Sequence, residues 1–179
     1  MHDLKDLILF DLSKRHTREL ASMAQKDNRI LNELWKFALS DEAPLNWRSA
    51  WVIKGIHEND PGLIESLVPD MIRALPDLKK EGVKREFLRM IMEYPLPDDE
   101  ERLGILLDTC FRWLSEPAEP IAVKVHCMTI LFEICKVIPE IKQELITTIE
   151  VAMAEGSAGI VNRGSKTIRA LKLGMARVT

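Results

Sequence analysis

The sequence predicts an all-α protein built from repeated helix pairs, and three observations carry that prediction. Apolar residues recur at helical spacing along most of the 179 residues, and no segment alternates in the manner of a strand. The breaks between these segments carry helix start and stop chemistry. A basic residue also recurs near the start of every second segment, at Arg48, Lys84, Lys124 and Arg163, with spacings of 36, 40 and 39 residues.

Taken in order, residues 3–12 carry Leu4, Leu7 and Ile8 at helical spacing, and residues 17–26 carry Leu20, Ala21 and Ala24. They read as a weakly apolar N-terminal cap. Asp27 is placed to cap a helix through Leu39, because an aspartate oxygen accepts from the orphan N–H groups of a first turn. A polar break at Ser40–Pro44 leads into NWRSAWVIKGIHE. Asp60-Pro61 predicts the next start, since proline at the first helical position has no N–H to lose. Pro69 inside that helix predicts a kink. VKREFLRMIMEY follows, YPLP stops it, and Asp98 with Glu101 forms a capping-box-like start for a helix to about Ser115.

The most informative stretch is IAVKVHCMTILFEICKVI, Ile121 to Ile138. Its one polar stripe is His126, Thr129, Glu133 and Lys136; nearly everything else is apolar. A helix of this kind is buried on two sides, unlike the single apolar face of a surface helix. Pro139 then opens a helix to Glu155, and Gly156-Ser157-Ala158-Gly159 makes the last turn. The closing helix places Ile160, Gly164, Ile168, Leu171 and Met175 on one stripe, with Arg163, Lys166, Arg169 and Lys172 opposite.

With 46% apolar and 30% charged residues the composition is that of a folded, soluble chain. A net charge of −3 gives no global field toward nucleic acid or an acidic membrane. Locally the balance differs: residues 156–179 hold five basic and no acidic side chains. Cys110, Cys127 and Cys135 each lie in an apolar run, and this odd number without metal-type spacing reads as free, buried thiols. No apolar run has the length of a signal h-region or a membrane span. The chain reads as cytoplasmic.

Polar breaks precede the recurring basic residues, with Asp41 before Arg48, Asp77 before Lys84 and Glu116 before Lys124; Gly156 takes that place before Arg163. Together with DPGLIESLVPDMIRALPD, GVKREFLRMI and LLDTCFRWLSEPAEPIAVKVHCMTIL, this pattern resembles the HEAT repeat family. The resemblance implies a right-handed α-α superhelix, a HEAT-like α-solenoid of antiparallel helix pairs, over one domain 1–179. The expected division is a cap at 1–26 and helix pairs at 27–59, 60–97, 98–138 and 139–174. It also implies a structural ladder between repeats formed by Asp41, Arg48, Asp77, Lys84, Glu116 and Lys124.

Second helices of such stacks line a concave binding face. Shifting the central polar stripe by one period predicts a partner-binding row of His57, Glu86, Arg89, Glu93, His126, Thr129 and Glu133. Mixed charge on that row suits a protein or peptide partner. Neighbouring helical residues point about 100° apart, so His126 and Cys127 do not aim at one metal ion. No phosphate loop or nucleophile elbow is present. No catalytic residues, metal or cofactor are therefore assigned, and the expected function is a non-enzymatic scaffold. The alternative is a nucleic-acid-associated relative, either a DNA or RNA binder or an alkylated-base DNA glycosylase relative. Trp47 and Trp51 are spaced to form aromatic walls for such an enzyme, but no tryptophan is followed by an aspartate one turn on. The tryptophans are expected to pack between repeats instead.

Overall fold

In the computed structural model, which describes residues 3–11, 13–154 and 156–174, the predicted start signals become helix boundaries. Among the described residues there is no strand. The chain divides into two compact units, Met1–Ile91 and Met92–Thr179. Leu12, Glu155 and Met175, which the sequence places in helices, lie outside the described residues.

The first unit contains α1 (Leu4–Phe10), α2 (Lys14–Lys26), α3 (Asn28–Ala38), α4 (Leu45–Asn59), α5 (Pro61–Glu65), α6 (Val68–Ala74) and α7 (Glu81–Ile91). Asp27 caps α3 as expected, its Oδ1 accepting the Arg29 N–H at 2.9 Å. Ser13 Oγ caps α2 by accepting the His16 N–H at 3.2 Å. At Asp60 the side chain makes no cap bond, and Pro61 alone marks the start. Pro69 does more than kink its helix. It sits in the first turn of a new helix, and the Leu67 N–H turns back to Ile64 O at 2.8 Å, so one predicted helix becomes α5 and α6. A proline nitrogen cannot donate to the carbonyl four residues earlier, and its ring crowds that carbonyl. VKREFLRMIMEY likewise stops early, at Ile91, because Pro95 disfavours helical backbone at Tyr94.

α4 is the centre of this unit and packs against α1, α2, α3, α5 and α7. Its small residues permit this. Ser49 and Ala50 are fully buried, and a Cβ on Gly55 would lie 3.6 Å from Ala21 Cβ and 3.8 Å from Thr17 Cγ2 on α2. The turn into α4 is held by Asn46, fully buried, whose Nδ2 donates to Ser40 O at 3.1 Å. On α7, Phe87 stacks against Trp35 of α3 with ring centroids 5.4 Å apart and planes within 2°. A pair of this kind adds about 0.5–1.5 kcal/mol beyond area burial, which accounts for Trp35 as a packing residue.

The second unit contains α8 (Glu100–Ser115), α9 (Ile121–Val137), α10 (Lys142–Ala154) and α11 (Ala158–Leu173). The cap of α8 is Asp99, not Asp98: its Oδ1 accepts the Arg102 N–H at 2.9 Å. The central stretch is a helix almost over its predicted length, with Val123, Cys127, Met128, Ile130, Leu131, Phe132, Ile134 and Cys135 buried. These residues surround most of its circumference because α9 packs on α8, α10 and α11. α10 follows a short 3-10 turn, Pro139–Ile141, and packs on α8 and α11. On α11, Ile160, Gly164, Thr167, Ala170 and Leu171 are buried while Lys166, Arg169 and Lys172 are exposed; Arg163 is half-buried. Gly164 lets α11 approach α10, since a Cβ there would meet Ile149 Cγ2 at 2.8 Å. All three cysteines are buried and none forms a disulfide, and burial pushes the Cys135 thiol up from its ordinary range.

Two glycines test how closely these helices are seated. A Cβ on Gly82 would lie 2.7 Å from Trp47 Cβ, close to backbone that cannot swing aside, whereas nothing lies within 4 Å of one on Gly104. Gly82→Ala is therefore expected to lower stability by about 1–2 kcal/mol, an overpacking penalty partly offset by better helix propensity. Gly104→Ala, inside α8, is expected to raise it by about 0.5–1 kcal/mol. Urea unfolding of both variants checks the pair; stabilisation by both would show that α4 and α7 are not held that close.

Candidate functional site

Within the first unit, α2 and α7 both pack on α4 and bring charged side chains from three helices together. On α4, Lys54 Nζ pairs with Glu58 Oε1 at 2.7 Å. Lys54 is largely buried along its stem, with 14% of its side chain exposed, while half of Glu58 is exposed. The Lys54 ammonium holds the Glu58 carboxyl below the usual carboxylate range, and the charges of Arg89 on α7 and Lys14 on α2 add to the effect. Because the folded-state value is depressed, this contribution to stability is present above the unfolded value. It is lost as pH falls through the folded one. Arg89 and Lys14 are exposed, and among the described residues neither side chain has a hydrogen-bond or ion-pair partner.

Of the partner-binding row expected from the sequence, this unit holds three members, and two of them are not on its surface. His57 is 3% exposed and Glu86 6%. The cause is the packing of α4 and α7. His57 follows buried Ile53 by one turn on the most enclosed helix of the unit. Glu86 shares a helical face with buried Val83 and Met90. Glu86 Oε1 accepts from Arg85 Nε at 3.1 Å and Nη2 at 3.0 Å, and its Oε2 is buried with no hydrogen-bond partner among the described residues. Arg89 is exposed as expected. Lys14, Lys54 and Glu58 were not singled out in the sequence; the Lys54–Glu58 spacing of four is a readable helical ion pair, but Lys14 joins it only through the packing of α2 on α4.

In the second unit, Glu93 is exposed in the turn after α7 rather than on a helix. His126, Thr129 and Glu133 are half-buried on α9. Thr129 and Glu133 have their polar atoms engaged on the helix itself. Thr129 Oγ1 donates to Val125 O at 3.0 Å. Lys136 Nζ donates to both Glu133 oxygens, at 2.7 and 2.6 Å, and lies 4.9 Å from the Phe132 ring centroid. The stripe is polar but locally neutralised. A cavity of about 360 Å³ opens elsewhere in the unit, bordered by Leu114, Glu119, Ile121, Lys124, Thr148 and Ser157.

The expected ladder residues are placed as follows. Asp41 Oδ2 accepts from Lys79 Nζ at 2.9 Å, one repeat length on, and the pair depresses the Asp41 carboxyl. Asp77 is exposed and adds to the field on Lys79. Arg48 does not bond a carboxylate. Its Nη1 donates to Leu9 O at 2.7 Å and Ile8 O at 3.3 Å, at the negative end of α1, and its guanidinium lies 5.6 Å from the Trp47 ring centroid. Lys84 is buried, Lys124 borders the cavity, and Glu116 is exposed with its Oε1 3.4 Å from the Ala118 N–H.

A family model described as the HEAT repeat domain matches residues 5–170. No curated protein matches the chain, and no solved structure does.

Exposure separates the ladder residues by energetic weight. Asp41 and Lys79 have side-chain exposures of 72% and 70%, where solvent and salt screen the pair. Asp41→Asn is thus expected to leave the melting temperature unchanged. Lys84→Ala removes a buried side chain and is expected to cost about 1–2 kcal/mol, and Lys124→Ala, on a cavity wall, less than that. Thermal unfolding of the three variants checks the order. A larger loss at Asp41 than at Lys84 would reverse it.

Proposed function

The chain belongs to the HEAT repeat domain family, and from that premise we propose that it is a non-enzymatic scaffold binding a protein or peptide partner on the exposed face of its second helices. Repeats of this family are generally protein-interaction modules. The observation that carries the reading is Arg89: an exposed guanidinium without an ion-pair partner among the described residues, on a helix seated against α4. Arginine is enriched at binding hot spots because its planar fork holds a carboxylate through two parallel bonds. The solvated, mixed-charge surroundings suit a protein partner better than a polyphosphate backbone. A reducing cytoplasmic setting suits three buried cysteines that form no disulfide. No described helix is long and apolar enough to cross a membrane.

The exposed Lys166, Arg169 and Lys172 on α11 are what favour the alternative, a nucleic-acid-associated role. Affinity capture of a partner, followed by titration calorimetry, tests the scaffold. Arg89→Ala is expected to weaken binding about tenfold, or 1.4 kcal/mol, and His126→Ala by less, since its stripe is locally neutralised. Glu65→Ala, exposed on α5, serves as the control. Equal affinities for all three would remove the second helices from consideration, and a salt-sensitive gel shift lost on reversing the α11 charges would favour nucleic acid.

A further inference from the structure

We propose that Lys14, Lys54, Glu58 and Arg89 form a docking surface for an acidic peptide segment, whose carboxylates meet Arg89 and Lys14 on the two helices flanking α4. The inference rests on the scaffold reading and narrows its partner to a chemical class.

Geometry brings the four residues together. Thr17 and Ala21 of α2 are the atoms nearest Gly55 of α4. Lys14 lies one turn from Thr17, and Glu58 lies three residues from Gly55, so both belong to the faces that meet there. Arg89 is carried by α7, which also packs on α4. The fields of both Arg89 and Lys14 reach the Glu58 carboxyl, in agreement with that placement.

Charge then decides the partner. Three cations surround one carboxylate, and that carboxylate is already taken by Lys54 at 2.7 Å. Arg89 and Lys14 are left exposed without partners among the described residues. Several other exposed cations are already paired: Arg15 with Glu19, Arg29 with Asp27, Arg73 with Asp70 and Lys136 with Glu133. Glu58 between the two open cations disfavours a continuous phosphate backbone, which would place a negative charge beside it. A peptide instead can set two carboxylates apart with neutral residues between. Packed helices hold both cations by their backbones, so little ordering has to accompany binding.

The probe is a short fluorescein-labelled Glu/Gly peptide, followed by fluorescence anisotropy against the full chain, with a Gln/Gly peptide of the same length and a labelled single-stranded oligonucleotide beside it. The Glu/Gly peptide is expected to bind, the Gln/Gly peptide not, and binding to weaken as salt rises. Arg89→Ala and Lys14→Ala are each expected to weaken it about threefold, the size of one solvent-exposed charge contact. Glu58→Gln is expected to tighten it by a similar factor, a change of opposite sign that loss of structure does not produce. Equal binding of the Glu/Gly and Gln/Gly peptides, or equal affinities across the variants, would overturn the proposal. So would tighter, variant-sensitive binding of the oligonucleotide, which would transfer the surface to nucleic acid. If the acidic peptide fails while a captured partner still depends on Arg89, the scaffold stands and only the acidic class falls; indifference of both to Arg89→Ala removes the two together.

Discussion

Enclosure of the second helices by their neighbours is the constraint on which both units depend. Among the described residues α4 packs against α1, α2, α3, α5 and α7 and α9 against α8, α10 and α11, and neither has room for a broad solvated face. The two solve the problem differently. α9 is dense in large apolar side chains and fills its surroundings with Leu131, Phe132, Ile134 and their neighbours. α4 gives up volume, with Ser49, Ala50 and Gly55 allowing α2 to come close and Gly82 at the start of α7 leaving space for Trp47. Interiors packed to crystalline density are sensitive to added volume, and at Gly82 a single added methyl would lie 2.7 Å from Trp47 Cβ.

That enclosure also organises the polar groups. A buried serine on α4 returns its hydroxyl to Leu45 O at 2.8 Å, and buried Asn46 is spent on the turn that joins α3 to α4. Arg48 serves the open end of α1, so a residue expected in a carboxylate ladder instead supplies positive charge where a helix dipole ends negative. Satisfaction is incomplete at Glu86 and Arg48: among the described residues Glu86 Oε2 and Arg48 Nε are buried without a hydrogen-bond partner, and burying a half-satisfied charged group costs stability. Arg89 and Lys14 are among the charges that the packing leaves exposed.

Much of this was readable in the residue pattern. Asp27, Pro61 and Pro139 mark helix starts, the three cysteines lie in runs too apolar to be exposed, and Ile121 to Val137 has too few polar positions to be anything but enclosed. These are local signals, decided by a cap, a ring or a run of side chains within one or two turns. Errors of position were equally local: Asp99 displaced Asp98 as the cap, and Pro69 divided a helix it was expected only to bend.

The sequence by itself determined the helical class, the order of the helices and the repeat spacing that ties the chain to its family, because each follows from short-range geometry and periodicity. Only the tertiary structure decided which polar residues reach solvent. His57, Glu86 and Arg89 all fall on the stripe that the repeat pattern predicts to be polar, yet the first two are buried and the third is exposed. Period alone cannot separate them, since exposure is set by how closely the next helix lies. That distance depends on residues such as Gly55 and Gly82, far from them in kind and partly in sequence. The meeting of Lys14 with Glu58 and Arg89 has the same origin: it belongs to three helices at once, and no single helix encodes it.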